Sequence, residues 1–86
     1  MLILKPNCEC CDTDLPASAP NARICTFECT FCADCAEMRF DKICPNCGGN
    51  LVVRPIRPPE NLISNPASSV RFNKDHPECA NPSLIN

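Results

Sequence analysis

The sequence predicts a small α+β domain with a short hairpin, one short helix and a core too small to hold it together unaided. Three observations lead there. The chain has only 86 residues, with ten prolines, four phenylalanines and no tryptophan or tyrosine. Much of its 44% hydrophobic content is cysteine, and domains of this size usually need disulfides or metals as staples. Eight of its ten cysteines then fall in four close pairs: Cys8 and Cys11, Cys25 and Cys29, Cys32 and Cys35, Cys44 and Cys47. One such pair is a weak signal, whereas four within forty residues read as two Cys₄ sites of the closed, tetrahedral kind that structural zinc prefers.

Disulfides are the rival use of these cysteines. Met1-Leu2-Ile3-Leu4 is too short to serve as the apolar core of an export signal, and no stretch approaches the roughly 20 apolar residues of a membrane span. The expected location is the cytoplasm, a reducing compartment where thiols stay free or bind metal. Two Zn²⁺ ions per chain are therefore expected, on Cys8, Cys11, Cys25, Cys29, Cys32, Cys35, Cys44 and Cys47.

Taken in order, Leu2-Ile3-Leu4 reads as a short strand or an apolar strap. Pro6 holds Lys5 extended, and Asn7 turns the chain into the first knuckle. Residues 12–22 are turn and loop formers without apolar periodicity. Ile24 to Phe31 is rich in β-branched and aromatic residues and reads as a hairpin with Cys25 and Cys29 near its turn. From Cys32 to Asp41 helix formers dominate, with Asp34 and Glu37 early and Arg39 late, the order a helix dipole favours. Cys32, Cys35, Ala36 and Phe40 then share one helix face.

Cys44-Pro45-Asn46-Cys47-Gly48-Gly49 is a second tight knuckle, its glycines placed where a positive φ is needed. Leu51-Val52-Val53 is a strand expected to pair back on the hairpin. Arg54 to Pro59 is too proline-rich for a central element. One helical turn is expected around Glu60–Ser64 and a short extended piece at Val70–Phe72. Domain boundaries follow: residues 1–54 form the two-zinc domain, 55–72 a proline-rich extension packed on or near it, and 73–86 a disordered tail.

Spacing leaves two ligand pairings open, one sequential and one cross-braced, in which pairs one and three share an ion and pairs two and four share the other. The pattern resembles the RING finger over roughly residues 8–50, with Cys29 where RING fingers commonly have histidine. Phe31 before Cys32, a helix beginning at Cys32-Ala33-Asp34-Cys35, and proline after Cys44 add to the likeness. The resemblance implies a cross-braced treble clef: one site from Cys8, Cys11, Cys32 and Cys35, the other from Cys25, Cys29, Cys44 and Cys47. A second resemblance spans nearly the whole ordered chain. MLILKPNCECC, DLP, ICTFECTFCADCAE, CPNCGG and RPIRPP resemble a small bacterial cysteine-rich family classed only as a domain of unknown function, which implies zinc and a bacterial cytosol but no activity.

Function classes narrow accordingly. Closed Cys₄ sites leave no coordination position for water, and the single histidine, His76, belongs to no catalytic constellation, so no enzyme activity is expected. With zinc bound by thiolates the formal charge of −2 falls to about −6, and residues 1–50 carry four Lys/Arg against seven Asp/Glu, without the basic footprint of a nucleic-acid binder. No small-molecule substrate is evident. The expected role is a protein-interaction module, with the Arg54–Pro59 strip and Ile56 as contact surface. Thiol-based redox or metal handling is the alternative, resting on Cys10, surplus to eight ligands, and on the weak His76-x₂-Cys79 pair. A ubiquitin-ligase role is disfavoured: Cys10 sits where such RINGs present an apolar residue, and glycines follow Cys47.

Overall fold

The computed structural model describes residues 2–72, so the expectations for His76, Cys79 and the 73–86 tail lie outside the described residues. The frame is a three-stranded antiparallel sheet, β1 (Ala22–Ile24), β2 (Thr30–Cys32) and β3 (Val52–Val53), in the order β2-β1-β3. β1 and β2 form the hairpin, with Arg23 opposite Phe31 and Ile24 opposite Thr30. β3 returns to the free side of β1, placing Val53 opposite Arg23 and Val52 opposite Ile24. Its pairing matches the sequence reading. β1 begins earlier than expected, at Ala22 inside the predicted 12–22 loop, because the cysteine turn starts at Cys25.

The predicted Cys32–Asp41 helix is shorter and wider. Cys32 closes β2, and the helical segment proper is a π turn, Cys35–Arg39. The Phe40 amide reaches back to the Cys35 carbonyl at 3.1 Å, five residues away, and Lys42 N–H donates to Ala36 O at 2.6 Å. This wide winding keeps Cys35 and Ala36 buried while Phe40 packs edge-on against Phe31, with ring centroids 4.9 Å apart at 63°. A second helix, α1 (Pro59–Leu62), is a single turn lying slightly before the expected Glu60–Ser64. Pro59 suits a first helical position, since its missing N–H would have no partner there.

The carbon core is as small as composition requires. Leu4, Leu15, Ala19, Ala22, Phe31, Ala36, Phe40 and Leu51 are buried, and most of the remaining buried cluster is cysteine. Leu2–Leu4 joins no strand and acts as a strap, with Leu4 buried and its carbonyl accepting from Ser68 N–H at 2.9 Å.

The expected contact strip is corrected in part. Arg54 is 1% exposed, and its guanidinium donates to the carbonyls of Lys5, Pro16 and Leu15 at 2.9, 2.9 and 3.4 Å. Arg57 donates to Asn65 O and Leu2 O, both at 2.7 Å. Buried Arg54 and half-buried Arg57 both tie segments of the fold together, which leaves Ile56 and the prolines as the exposed part of the strip.

Val70–Phe72 forms no strand. Arg71 grips Asp12 and Asp14 at 3.0 and 2.8 Å, and Phe72 exchanges two hydrogen bonds with the Asn7 side chain. The chain thus returns to the first knuckle. Among the described residues no helix is long and apolar enough to cross a membrane.

Candidate metal centres

Four stretches of backbone deliver the sulfurs, and each bends for a local reason. In the first knuckle Asp12 N–H closes onto Cys8 O at 3.0 Å, and Asp12 itself takes φ 66°. The amides of Cys10 and Cys11 then point at Cys8 Sγ, at 3.4 and 3.5 Å. The last knuckle repeats the geometry. Gly48 N–H bonds Cys44 O at 2.9 Å with φ 80°, while Asn46 N–H aims at Cys44 Sγ and Gly49 N–H at Cys47 Sγ, both at 3.4 Å. In the hairpin turn Glu28 (φ 65°) closes onto Cys25 O, and Phe27 N–H faces Cys25 Sγ at 3.3 Å. Cys35 N–H faces Cys32 Sγ at 3.5 Å. Backbone donors aimed at sulfur favour the thiolate, the form that binds metal.

Tertiary structure sorts these sulfurs into two groups. Cys8, Cys11, Cys32 and Cys35 lie within 4.8 Å of one another, and so do Cys25, Cys44 and Cys47. Pair one thus joins pair three, and Cys25 of pair two joins pair four, the interleaved arrangement rather than the sequential one. Both groups could hold a metal ion. Cys29 stands outside the second mutual set, although buried beside it, and its Sγ accepts from Asn46 Nδ2 at 3.4 Å. All eight paired cysteines are free thiols. Cys10, surplus to the eight ligands as expected, adds no sulfur to either group and is disulfide-bonded rather than a free thiol.

Crowding splits the proton affinities. Hydrogen bonds from the Cys32 and Cys35 thiols, opposed by burial and helped by backbone amides, hold Cys8 far below the ordinary thiol value. Cys35 also bonds to Cys32 and would lower it, but the Cys8 thiolate and burial prevail and push Cys32 up to about 12. Cys35, donating to both Cys32 and Cys8, is pushed up further still. In the second group burial leads, pushing Cys44 up to about 12 and raising Cys29, while the amides of Phe27 and Cys29 and the Cys47 thiol overcome burial and lower Cys25. Each group is therefore built around one ready thiolate, Cys8 or Cys25, with protons on neighbours that a cation would displace.

Glu9, which sequence reasoning passed over, links the two groups. It is 1% exposed between Cys8 and Cys10, and its carboxylate accepts from Thr30 N–H at 2.6 Å and from Lys5 Nζ at 2.9 Å. Its own N–H donates to Thr30 O at 2.9 Å. Thr30 sits between Cys29 and Cys32, so the first knuckle is bonded directly to the hinge between the groups. Only the position of Glu9 inside a C-x₂-C spacer hinted at this.

Comparison with known proteins agrees with the cysteine pattern and adds no activity. No solved structure matches the chain. An uncharacterized protein of Rhizobium meliloti (strain 1021) is 61% identical over 74 residues, covering 86% of this chain and 88% of that protein. The family described as "Protein of unknown function (DUF1272)" matches residues 1–57, which hold the sheet and all eight paired cysteines. This chain, with its two cysteine groups, belongs to that family.

Proposed function

We propose that this protein is a small zinc-stabilised interaction module of the bacterial cytoplasm, without catalysis of its own, whose contact element is the open edge of β3. The donor chemistry suits zinc. Thiolates about 2.3 Å from a tetrahedral ion stand about 3.8 Å apart, and Cys11 Sγ and Cys32 Sγ are separated by 3.7 Å. Structural zinc contributes on the order of 10–16 kcal/mol of folding energy in finger peptides, more than so small a carbon core supplies. The interleaved grouping with a hairpin and a short helix supports the RING-like, treble-clef reading of the frame.

The observation that carries the interaction reading is the difference between the two sheet edges. Glu9 blocks the outer edge of β2 by bonding both Thr30 N–H and Thr30 O. Among the described residues nothing comparable covers β3. Arg54 N–H bonds Ala22 O at 2.9 Å, which makes Arg23 and Val53 a non-bonded pair of the ladder and turns the N–H and C=O of Val53 outward. Val52 and Val53 are 49% and 60% exposed beside a shallow groove of about 340 Å³, lined in part by Arg23, Glu37 and Lys42. An exposed edge with side-chain recesses is the surface to which an extended peptide adds as a further strand.

The test uses zinc-loaded protein and a random peptide library. Enriched peptides are expected to shift the Val53 amide resonance on binding. Val53→Pro removes the outward N–H without taking a hydrogen bond from the β1 ladder and should abolish binding, with two zinc ions retained by native mass spectrometry. Peptides that bind the variant equally well would defeat the edge reading. A folded protein carrying one ion or none would defeat the two-zinc reading, and metal-dependent turnover of a substrate the non-catalytic one.

A further inference from the structure

Glu9 lies in the spacer of the first knuckle, between Cys8 and Cys11, yet its bonds reach the hairpin that serves the other group. Its carboxylate accepts from Thr30 N–H at 2.6 Å, and its own N–H donates to Thr30 O at 2.9 Å. Thr30 directly follows Cys29, whose sulfur hydrogen-bonds with those of Cys25 and Cys44, and it stands two residues before Cys32 of the first group. The Thr30 hydroxyl donates to Glu28 O at 3.0 Å, inside the turn that Cys25 and Cys29 bracket. One buried residue of each segment thus carries the link between the two groups.

The link is energetically poised. Glu9 Oε2 takes both the Thr30 amide and Lys5 Nζ, the latter at 2.9 Å, while Oε1 is buried without a hydrogen-bond partner. A bare carboxylate oxygen is costly inside a protein and is hydrated at no such cost in water. Glu9 therefore stays buried only while the knuckle and the hairpin are held in register. Loss of an ion from the first group frees the knuckle, and loss from the second frees the hairpin turn. Either event lets the carboxylate leave Thr30 for solvent. The side chain is then an element with two states whose balance both groups bias, which is what coupling between sites requires.

We propose that Glu9 is a positioning residue that couples the two zinc sites, so that an ion bound at either group raises the affinity of the other. This rests on the reading that each group holds one Zn²⁺. By linkage the effect is reciprocal. In limiting zinc the chain passes between a metal-free and a two-zinc form, with the one-zinc chain a minor species, and its assembly answers zinc as a threshold.

The experiment titrates the metal-free full chain with zinc in a chelator buffer and counts species by native mass spectrometry. At half-saturation independent sites leave about half of the chains or more with one ion, and a tenfold coupling of equal sites cuts this to about a quarter. The parent is expected near the lower figure, Glu9→Ala near or above the higher, and Glu9→Gln, which keeps an acceptor for Thr30 N–H, close to the parent. A merely structural role would weaken both affinities alike and leave the one-zinc fraction unchanged. Equal fractions in the parent and Glu9→Ala, or a parent at half or more, would overturn the coupling while leaving the two-zinc reading intact. If Glu9→Ala does not fold, amide exchange decides: Thr30 protection should fall at least tenfold when Cys47→Ser removes the second ion, and unchanged protection would overturn the proposal. A parent chain that saturates at one ion or none would overturn the two-zinc reading and the coupling with it.

Discussion

Arg54 shows how much one side chain carries in a fold with so little carbon core. Its stem and head are buried, burial lowers the guanidinium below its ordinary pKa, and the carbonyl oxygens of Lys5, Leu15 and Pro16 accept its hydrogen bonds. Truncation would leave those carbonyls unsatisfied and a void behind them. Arg54→Ala is therefore expected to cost about 2–3 kcal/mol, read by urea unfolding in excess zinc, with the zinc count unchanged. An unaltered midpoint would show that the buried fork is not structural. The cysteines make a second residue-scale prediction. In the metal-free first group Cys32 and Cys35 hold their protons well above neutral pH, so binding an ion must release both. Metal affinity should then rise steeply with pH, by about two log units per unit near neutrality from these two thiols alone, and fall away in acid. Calorimetry in buffers of different ionisation enthalpy counts the protons, and release of none would contradict the crowding described.

At the scale of elements, each knuckle is a turn that aims amides at sulfur, and it closes only if one residue accepts a positive φ. Asp12, Glu28 and Gly48 fill that place after Cys11, before Cys29 and after Cys47. Asp tolerates the left-handed region through its short polar side chain, and glycine meets no penalty there. At Gly48 an added Cβ would meet nothing within 4 Å, so only backbone strain opposes substitution. Gly48→Ala should cost about 1 kcal/mol and accelerate zinc loss from the Cys44–Cys47 side, with Gly48→Asn milder. Equal chelator kinetics for Gly48→Ala and the parent would argue against the strain. The π turn answers the same kind of need, since its wide winding lets Cys35 face the first group while Phe40 reaches Phe31.

For the whole molecule, residues 58–72 matter although the family match ends at 57. Ser68 bonds Leu4, Asn65 receives Arg57, and Arg71 and Phe72 fasten onto the first knuckle. Lys5 Nζ sits 4.8 Å above the Phe72 ring while also paired with Glu9. The pairs of Arg71 are exposed and screened, so the paired hydrogen bonds of buried Asn7 carry the larger share. A chain ending at residue 57 is expected to melt roughly 5–10 °C below one ending at residue 72 when both are zinc-loaded. Equal melting temperatures would reduce the return segment to a passive wrap.

By itself the sequence determined the paired-cysteine framework, the hairpin with its cysteine turn, the return of Leu51–Val53 and the second knuckle. Those signals are local: a C-x₂-C spacer, a β-branched run and a glycine pair act within a few residues. Which pairs converge was open from spacing alone, because that depends on how the hairpin folds back on the first knuckle. The bond from Glu9 to Thr30 across that crossing and the return of residues 71–72 were likewise decided by tertiary structure. Arg54 and Arg57 were expected in an exposed contact strip because long cations are seldom buried. Here the strapping segments offered carbonyls with no strand to bond them, and the arginines satisfied those oxygens at the cost of their own hydration.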